Sequence, residues 1–208
     1  LRLRQIDDLA LADHYHLQPK DRCWYVTEFT AGRKFNYSDG NRLICDLQLD
    51  VDADWARKKK EKAVARAAEI LFQVLTPEQR LRPTWIPVPP SRAKGNPGHD
   101  SRVAAVLRAL STLEKGMDIR ELVVQLGDRA QAKKTDEKRD VEALYASYTV
   151  DETLALPEPK LVVVFDDVVT TGRSLRAMER KIVERFPATK VVGVFLARRV
   201  LLGDQQLS

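Results

Sequence analysis

The 208 residues, 44% hydrophobic and 31% charged, have the composition of a soluble globular protein large enough to bury a substantial core, so disorder is excluded as the default. No apolar run approaches a membrane span, and Leu1 to Asp8 lacks a signal peptide's apolar core, so a cytoplasmic location is expected. Net charge is +5, and two distant cysteines, Cys23 and Cys45, with no Cys-x-x-Cys spacing indicate neither a disulfide framework nor a zinc site.

In chain order, residues 1 to 20 place Leu3, Ile6, Leu9, Ala10 and Leu11 at positions compatible with a short helix, which Pro19 ends. His14 and His16 flank Tyr15 without a third ligand of suitable spacing, so they read as surface or packing residues rather than a metal pair. From Cys23 to Leu49 the period changes. Trp24 to Thr30 is aromatic and β-branched, Arg42 to Leu49 is mostly apolar, and turn chemistry at Ala31-Gly32 and Tyr37 to Asn41 lies between them. This predicts a hairpin or small antiparallel excursion, with Tyr25, Phe35 and Tyr37 as candidates for a ligand hood. Residues 53 to 75 predict a helix with the core stripe Val64, Ala67, Ala68, Leu71, Phe72 and Leu75. Its basic run, Arg57 to Lys62, reads as a solvated face, because no aromatic interleaving marks it as a nucleic-acid surface.

The prolines in Thr84 to Pro90 predict a short strand leaving a sheet, followed by a basic, turn-forming loop from Ser91 to His99 and a helix over 101 to 113. Glu121 to Gln125 reads as a strand, Asp128 to Asp140 as a charged segment with little apolar material to hold it down, and Ala143 to Val150 as another strand. Leu161 to Phe165 is an unbroken, β-branched apolar run, predicting a strand buried on both faces. Asp166 and Asp167 are expected to end it, since buried unpaired carboxylates are costly. Thr170, Thr171 and Gly172 then lead into a helix with Leu175, Met178, Ile182 and Val183 on its apolar face, and Lys190 to Ala197 supplies a further buried strand. Alternating strands and helices predict an α/β fold with a mainly parallel central sheet flanked by helices, whose ligands bind at the carboxyl ends of strands.

The turn between a buried strand and a helix suits a phosphate. Free backbone N–H groups and the positive end of the helix dipole converge there, Thr170, Thr171 and Ser174 add hydroxyls, and Gly172 admits close approach. Two carboxylates nearby suit vicinal hydroxyls, so a sugar carrying a 5-phosphate fits the pair. The chain lacks the Gly-Lys-Ser/Thr of a P-loop and the Gly-x-Gly-x-x-Gly of a dinucleotide fold.

This run, with its acidic pair and Thr-Thr-Gly-x-Ser ending, resembles the motif by which type I phosphoribosyltransferases bind 5-phosphoribosyl 1-pyrophosphate (PRPP). The resemblance implies that Asp166 and Asp167 hold the ribose hydroxyls and a magnesium ion, directly or through water. Val168, Val169, Thr170, Thr171, Gly172, Arg173 and Ser174 would wrap the 5-phosphate. Ser91, Arg92 and Lys94 would form the pyrophosphate loop, and Arg129, Lys133 and Lys134 would belong to a loop that closes over the donor. Ile86 to Arg92, the stretch Arg129 to Val150, the acidic pair and Val194 to Arg198 are similar in order and spacing to the ComF-type branch, over roughly residues 84 to 198. The chain departs from that branch in having no N-terminal cysteine-rich zinc ribbon. It also carries Lys94 to His99 where Arg-Gly-Phe-Asn commonly follows the pyrophosphate loop.

The organisation expected from these readings is one domain over 1 to 208, with an N-terminal hairpin and helix elaboration over 1 to 80 as a candidate hood and a core over 81 to 208. The function expected is transfer of a phosphoribosyl group to a nitrogen nucleophile, with Asp166 and Asp167 orienting the ribose, an acceptor base not identified by the sequence, and a homodimer implied by the family. The alternatives are a non-catalytic PRPP or nucleotide sensor acting through a partner, and a nucleic-acid accessory protein using the basic helix, whose binding would fall steeply with salt.

Overall fold

A computed structural model describes residues 1 to 92, 95, 96, 98 to 127 and 137 to 202, with the backbone alone at 137 to 140. Its centre is the pair β7 (Leu161–Val169) and β8 (Lys190–Val200), which run parallel in a six-stranded sheet of order β1-β2-β8-β7-β3-β4. β2 (Cys23–Thr30) pairs parallel with β8, and β3 (Thr84–Pro87) lies parallel between β7 and β4 (Asp118–Ile119). β1 (Arg4–Gln5) joins antiparallel to β2, so the fold is α/β with a mostly parallel mixed sheet. A separate antiparallel pair is formed by β5 (Val123–Gln125) and β6 (Tyr148–Val150).

Both sheet faces are covered, as the apolar run of β7 requires. Alternation sends Val163 and Phe165 to one face, where they pack with Trp85 against α1 (Asp39–Leu47), α2 (Asp54–Val74) and α4 (Arg102–Leu113). Val162 and Val164 go to the other face, under α5 (Glu137–Ala146), α6 (Arg173–Arg185), the β5-β6 pair and the N-terminal segment. A short α3 (Pro77–Leu81) carries a complete capping box between Thr76 and Gln79. Among the described residues no helix is long and apolar enough to cross a membrane.

Several sequence expectations are corrected. Residues 1 to 20 form β1 and a 3-10 turn, Leu11–His14, rather than a helix, because pairing with the edge of β2 and burial of Ile6 and Ala10 override the local pattern. Arg42 to Leu49 is mostly helix α1, not the second arm of a hairpin. The Ser38 side chain caps it by accepting from the Asn41 N–H at 3.0 Å, and Ile44 and Leu47 bury one face. Ala143 to Ala146 closes helix α5, since Val141 and Leu144 are buried at helical spacing, and only Tyr148–Val150 is strand. On α2 the buried stripe runs through Ala63, Ala67, Ala68, Ile70 and Leu71, leaving Phe72 37% exposed; Val183 on α6 is also exposed, with Ala177 buried in its place. Of the candidate hood aromatics, Tyr25 is buried in the sheet, whereas Phe35 and Tyr37 are exposed.

Candidate functional site

β7 does not stop at the acidic pair. It continues through Asp166 and Asp167 to Val169, pairing Asp166 with Phe195, Val168 with Ala197 and Val169 with Arg198. The carboxylates are tolerated inside the strand because donors meet them. Alternation puts Asp167 on the same face as Val163 and Phe165, where the end of α1 and the start of α4 converge. Gln48 Nε2 donates to Asp167 Oδ2 at 2.9 Å and Arg102 Nε donates to the same oxygen at 2.7 Å. Oδ1 accepts the Val168 N–H at 2.8 Å, and Asp167 as a whole is only 6% exposed. Asp167 is thus largely shut off from bulk solvent with both oxygens engaged by protein donors, and it still lines the cavity described below. Val168 and Val169 are strand residues whose side chains pack against the two cores.

Asp166 projects toward the opposite side of the strand and is half-buried, with Oδ1 accepting the Asp167 N–H at 2.9 Å. Burial, and next the adjacent Asp167 carboxylate, push its carboxyl well above the usual range, and the Arg102 charge only partly offsets them.

Arg102 belongs to a wider ion network. Asp100 Oδ2 accepts from Arg102 Nη1 at 2.7 Å, Asp100 Oδ1 accepts from the Arg102 N–H at 3.1 Å, and Lys60 Nζ of α2 lies 2.9 Å from Asp100. Lys60 also donates to the Leu49 carbonyl at 3.0 Å. Burial favours the neutral form of Asp100, but hydrogen bonds and charge from Lys60 and Arg102 prevail and hold its carboxyl below the ordinary value. Burial alone would lower the Arg102 pKa, yet Asp167 and Asp100 raise it further. The chain Lys60–Asp100–Arg102–Asp167–Gln48 thus ties α2, α4, β7 and α1 at one end of the sheet.

The turn after β7 is held from behind by the N-terminal segment. Gly172 has φ 86° and begins α6, and a Cβ there would lie 2.6 Å from Leu17 Cγ and Cδ2. The glycine therefore admits Leu17 as well as the turn. The His16 N–H donates to the Thr171 carbonyl at 2.9 Å, and His14 Nδ1 donates to the Thr170 carbonyl, which assigns the ring proton to Nδ1 in the neutral form. His14 is fully buried, so burial lowers its pKa against the opposing carbonyl bond. Arg173 N–H reaches Thr171 Oγ1 at 3.4 Å, and the first turn of α6 supplies N–H groups with no acceptor inside the helix.

In the loop after β3, the Arg92 guanidinium lies directly over Gly98, where a Cβ would sit 2.1 Å from Nη1, and the Arg92 carbonyl contacts His99 Nδ1 at 2.9 Å. A cavity of about 180 Å3 opens between this loop and β7, lined among others by Ser91, Arg92, Arg102, Asp166, Asp167 and Ser174. Five of the residues singled out in the sequence thus meet at the carboxyl ends of β3 and β7. Thr170 and Thr171 flank the cavity in sequence but do not line it. Lys94, Arg129, Lys133 and Lys134 lie outside the described residues.

Gln48, Asp100 and Arg102 were not singled out by sequence reading, and Lys60 entered it only within the basic run Arg57 to Lys62. One signal pointed to Arg102: a cation in the first turn of a helix opposes the helix dipole and calls for a carboxylate partner. Among the described residues no group of three or more His, Cys, Asp or Glu side chains is arranged to hold a metal ion. A magnesium here would have to be carried chiefly by the phosphate oxygens of a ligand, with Asp166 the less engaged carboxylate of the pair. No family model matches the chain, and no curated protein matches it.

Proposed function

We propose that the protein is a phosphoribosyltransferase that binds magnesium–PRPP and transfers its phosphoribosyl group to a nitrogen nucleophile, releasing pyrophosphate. The observation that carries this reading is the convergence of Ser91 and Arg92 with Asp166 and Ser174 on one cavity beside the start of α6. A phosphate at that helix start meets backbone N–H groups and the Ser174 hydroxyl, a pyrophosphate meets Arg92, and the ribose hydroxyls between them meet Asp166.

In the reaction the bond from ribose C1 to the pyrophosphate oxygen breaks and its electron pair leaves with pyrophosphate. The acceptor nitrogen forms the new bond to C1 and loses its proton to solvent. Arg92 and Arg102 offset the charge of the departing group, and Asp166 orients the sugar, so positioning and electrostatics supply the rate without a covalent intermediate. Bound magnesium would supply further neutralisation of the pyrophosphate. A cytoplasmic location and a homodimer belong to the same proposal.

One observation favours a second reading, a sensor that binds PRPP or a nucleotide without turnover. Asp167 already accepts from Arg102, Gln48 and the Val168 N–H, so a ribose hydroxyl would have to compete with these donors for it. Calorimetric titration with PRPP and magnesium, followed by a pyrophosphate-release assay across a panel of nucleobases, separates the readings. Binding with base-dependent release supports the transferase, binding without release supports the sensor, and absence of binding overturns both.

A further inference from the structure

His14 is fully buried, and only one of its ring nitrogens is satisfied. Nδ1 donates to the Thr170 carbonyl, whereas Nε2 is shut off from solvent and has no hydrogen-bond partner among the described residues. A buried acceptor left unmet costs stability that an apolar side chain in the same place would keep, so packing alone gives no reason for an imidazole here. Its one bond goes to the turn before α6. Two residues on, the His16 N–H donates to the next carbonyl, that of Thr171, at 2.9 Å, and Leu17 packs where Gly172 has no Cβ. The Thr170–Thr171 and Thr171–Gly172 peptides are trans, and in a planar trans peptide the N–H points opposite to the C=O. Drawing both carbonyls toward the N-terminal segment therefore turns the Thr171 and Gly172 N–H groups away from it. Among the described residues neither of these N–H groups has an acceptor. Successive N–H groups turned to one side make a concavity that binds anions, and the helix that follows this one places Ser174 on the wall of the phosphate cavity.

We propose that His14 is a positioning residue for the phosphate of the ligand: by holding the Thr170 carbonyl from behind, it aims the Thr171 N–H at the anion, as the His16 N–H aims that of Gly172. The inference rests on the reading above that a phosphate sits at this turn, and it adds a requirement from a segment that does not line the cavity. Without the Nδ1 donor the Thr170–Thr171 peptide is free to rotate about its flanking bonds. Its N–H must then be reoriented at each binding event, which weakens phosphate binding while the contacts to the rest of the ligand persist.

The test pairs calorimetry with amide spectra of the whole chain. Magnesium–PRPP is titrated into the parent, into His14→Leu, which removes the donor at similar volume, and into His14→Asn, whose side-chain N–H stands near the place of Nδ1. The expected result is about tenfold weaker binding in His14→Leu and a return to within about threefold of the parent in His14→Asn. A role in packing alone would give no such rescue, since Asn is the smaller and more polar replacement. Should His14→Leu not fold, His14→Ala carries the same expectation. In nitrogen–proton spectra, ribose 5-phosphate is expected to move the Thr171 and Gly172 amide protons downfield in the parent and in His14→Asn, and to move them less in the variant without the donor. Unweakened binding in that variant, binding in His14→Asn as weak as in it, or silent Thr171 and Gly172 amides while PRPP binds would each overturn the role of His14 and leave the transferase reading standing. Failure of PRPP to bind the parent sinks that reading instead. The amide response to ribose 5-phosphate then decides the inference by itself: a shift lost without the donor supports it, and no shift, or one that persists without the donor, overturns it.

Discussion

Replacing Arg102 with Met keeps most of the side chain's apolar stem and removes the cation that faces Asp167. Asp167 is 6% exposed, so after the change its carboxylate stays buried with the Gln48 amide at 2.9 Å and the Val168 N–H at 2.8 Å as its remaining donors. Removing one partner of a buried ion pair costs about 3–5 kcal/mol. The two surviving hydrogen bonds, and the Lys60 contact that continues to serve Asp100, place the expected loss at the low end, about 3 kcal/mol. For a chain of this size that lowers the melting temperature by roughly 6–12 °C. Urea denaturation of Arg102→Met, Asp167→Asn and the double variant measures the coupling. The double variant should lose at least about 1 kcal/mol less than the sum of the singles, because with the carboxylate gone no buried charge is left unpaired. A loss below about 1 kcal/mol in Arg102→Met, or strictly additive singles, would refute the view that this ion pair is what makes an acidic strand interior tolerable.

Gly172→Ala is expected to destabilise the fold by at least about 1 kcal/mol, because it adds a Cβ at a left-handed φ of 86° and within 2.6 Å of Leu17. In a Leu17→Ala background the steric part should vanish while the backbone part remains, and an unchanged cost would show that Leu17 does not bear on the turn. His14 has a folded pKa below its unfolded value of 6.5, so the unfolded chain binds more protons on the acidic side of that value. Its contribution is thus fully present above pH 6.5 and is lost as pH falls toward the folded pKa; His14→Gln should flatten the denaturation midpoint across that window, and an unaltered pH profile would count against a buried neutral imidazole. Asp166 has the opposite sign. Its folded pKa lies well above the ordinary carboxyl value of 3.8, so the native state binds more protons there and loses stability as pH rises through that interval. Asp166→Asn is therefore expected to be more stable than the parent at neutral pH while binding PRPP more weakly, and a variant less stable at neutral pH would contradict the buried, charge-crowded position of that carboxyl.

The central strand, the helix after it and the parallel sheet were legible because β-branched runs buried on both faces have few other homes. The meeting of Ser91 and Arg92 with the acidic pair was legible for a related reason, since both follow strands whose carboxyl ends share one edge of the sheet. What misled was local pattern where tertiary contacts decide. Arg42 to Leu49 looks like a strand by composition, yet Asn41 fixes the helix before it. Its side chain accepts from the Thr30 N–H at 3.0 Å and donates to the Thr30 carbonyl at 3.0 Å, so the chain turns at the end of β2 instead of folding back as a hairpin. The acidic pair was expected at a strand end because sequence carries no record of Gln48 and Arg102, which lie 119 and 65 positions away from Asp167.

Those distances also show where the first 80 residues meet the candidate site. In the structure β2 extends the main sheet beside β8, Gln48 from the end of α1 and Lys60 from α2 enter the ion network, and His14, His16 and Leu17 brace the turn before α6. His14 and His16 reach the turn through the backbone carbonyls of Thr170 and Thr171, Gln48 acts through the buried Asp167 and Lys60 through Asp100, and none of these four side chains lines the cavity where a ligand would sit. Through these contacts the N-terminal third braces the turn before α6 and the buried Asp167. Weakening its contacts should loosen the phosphate turn and the acidic pair together, since one segment restrains the carbonyls of the first while another neutralises the charge of the second.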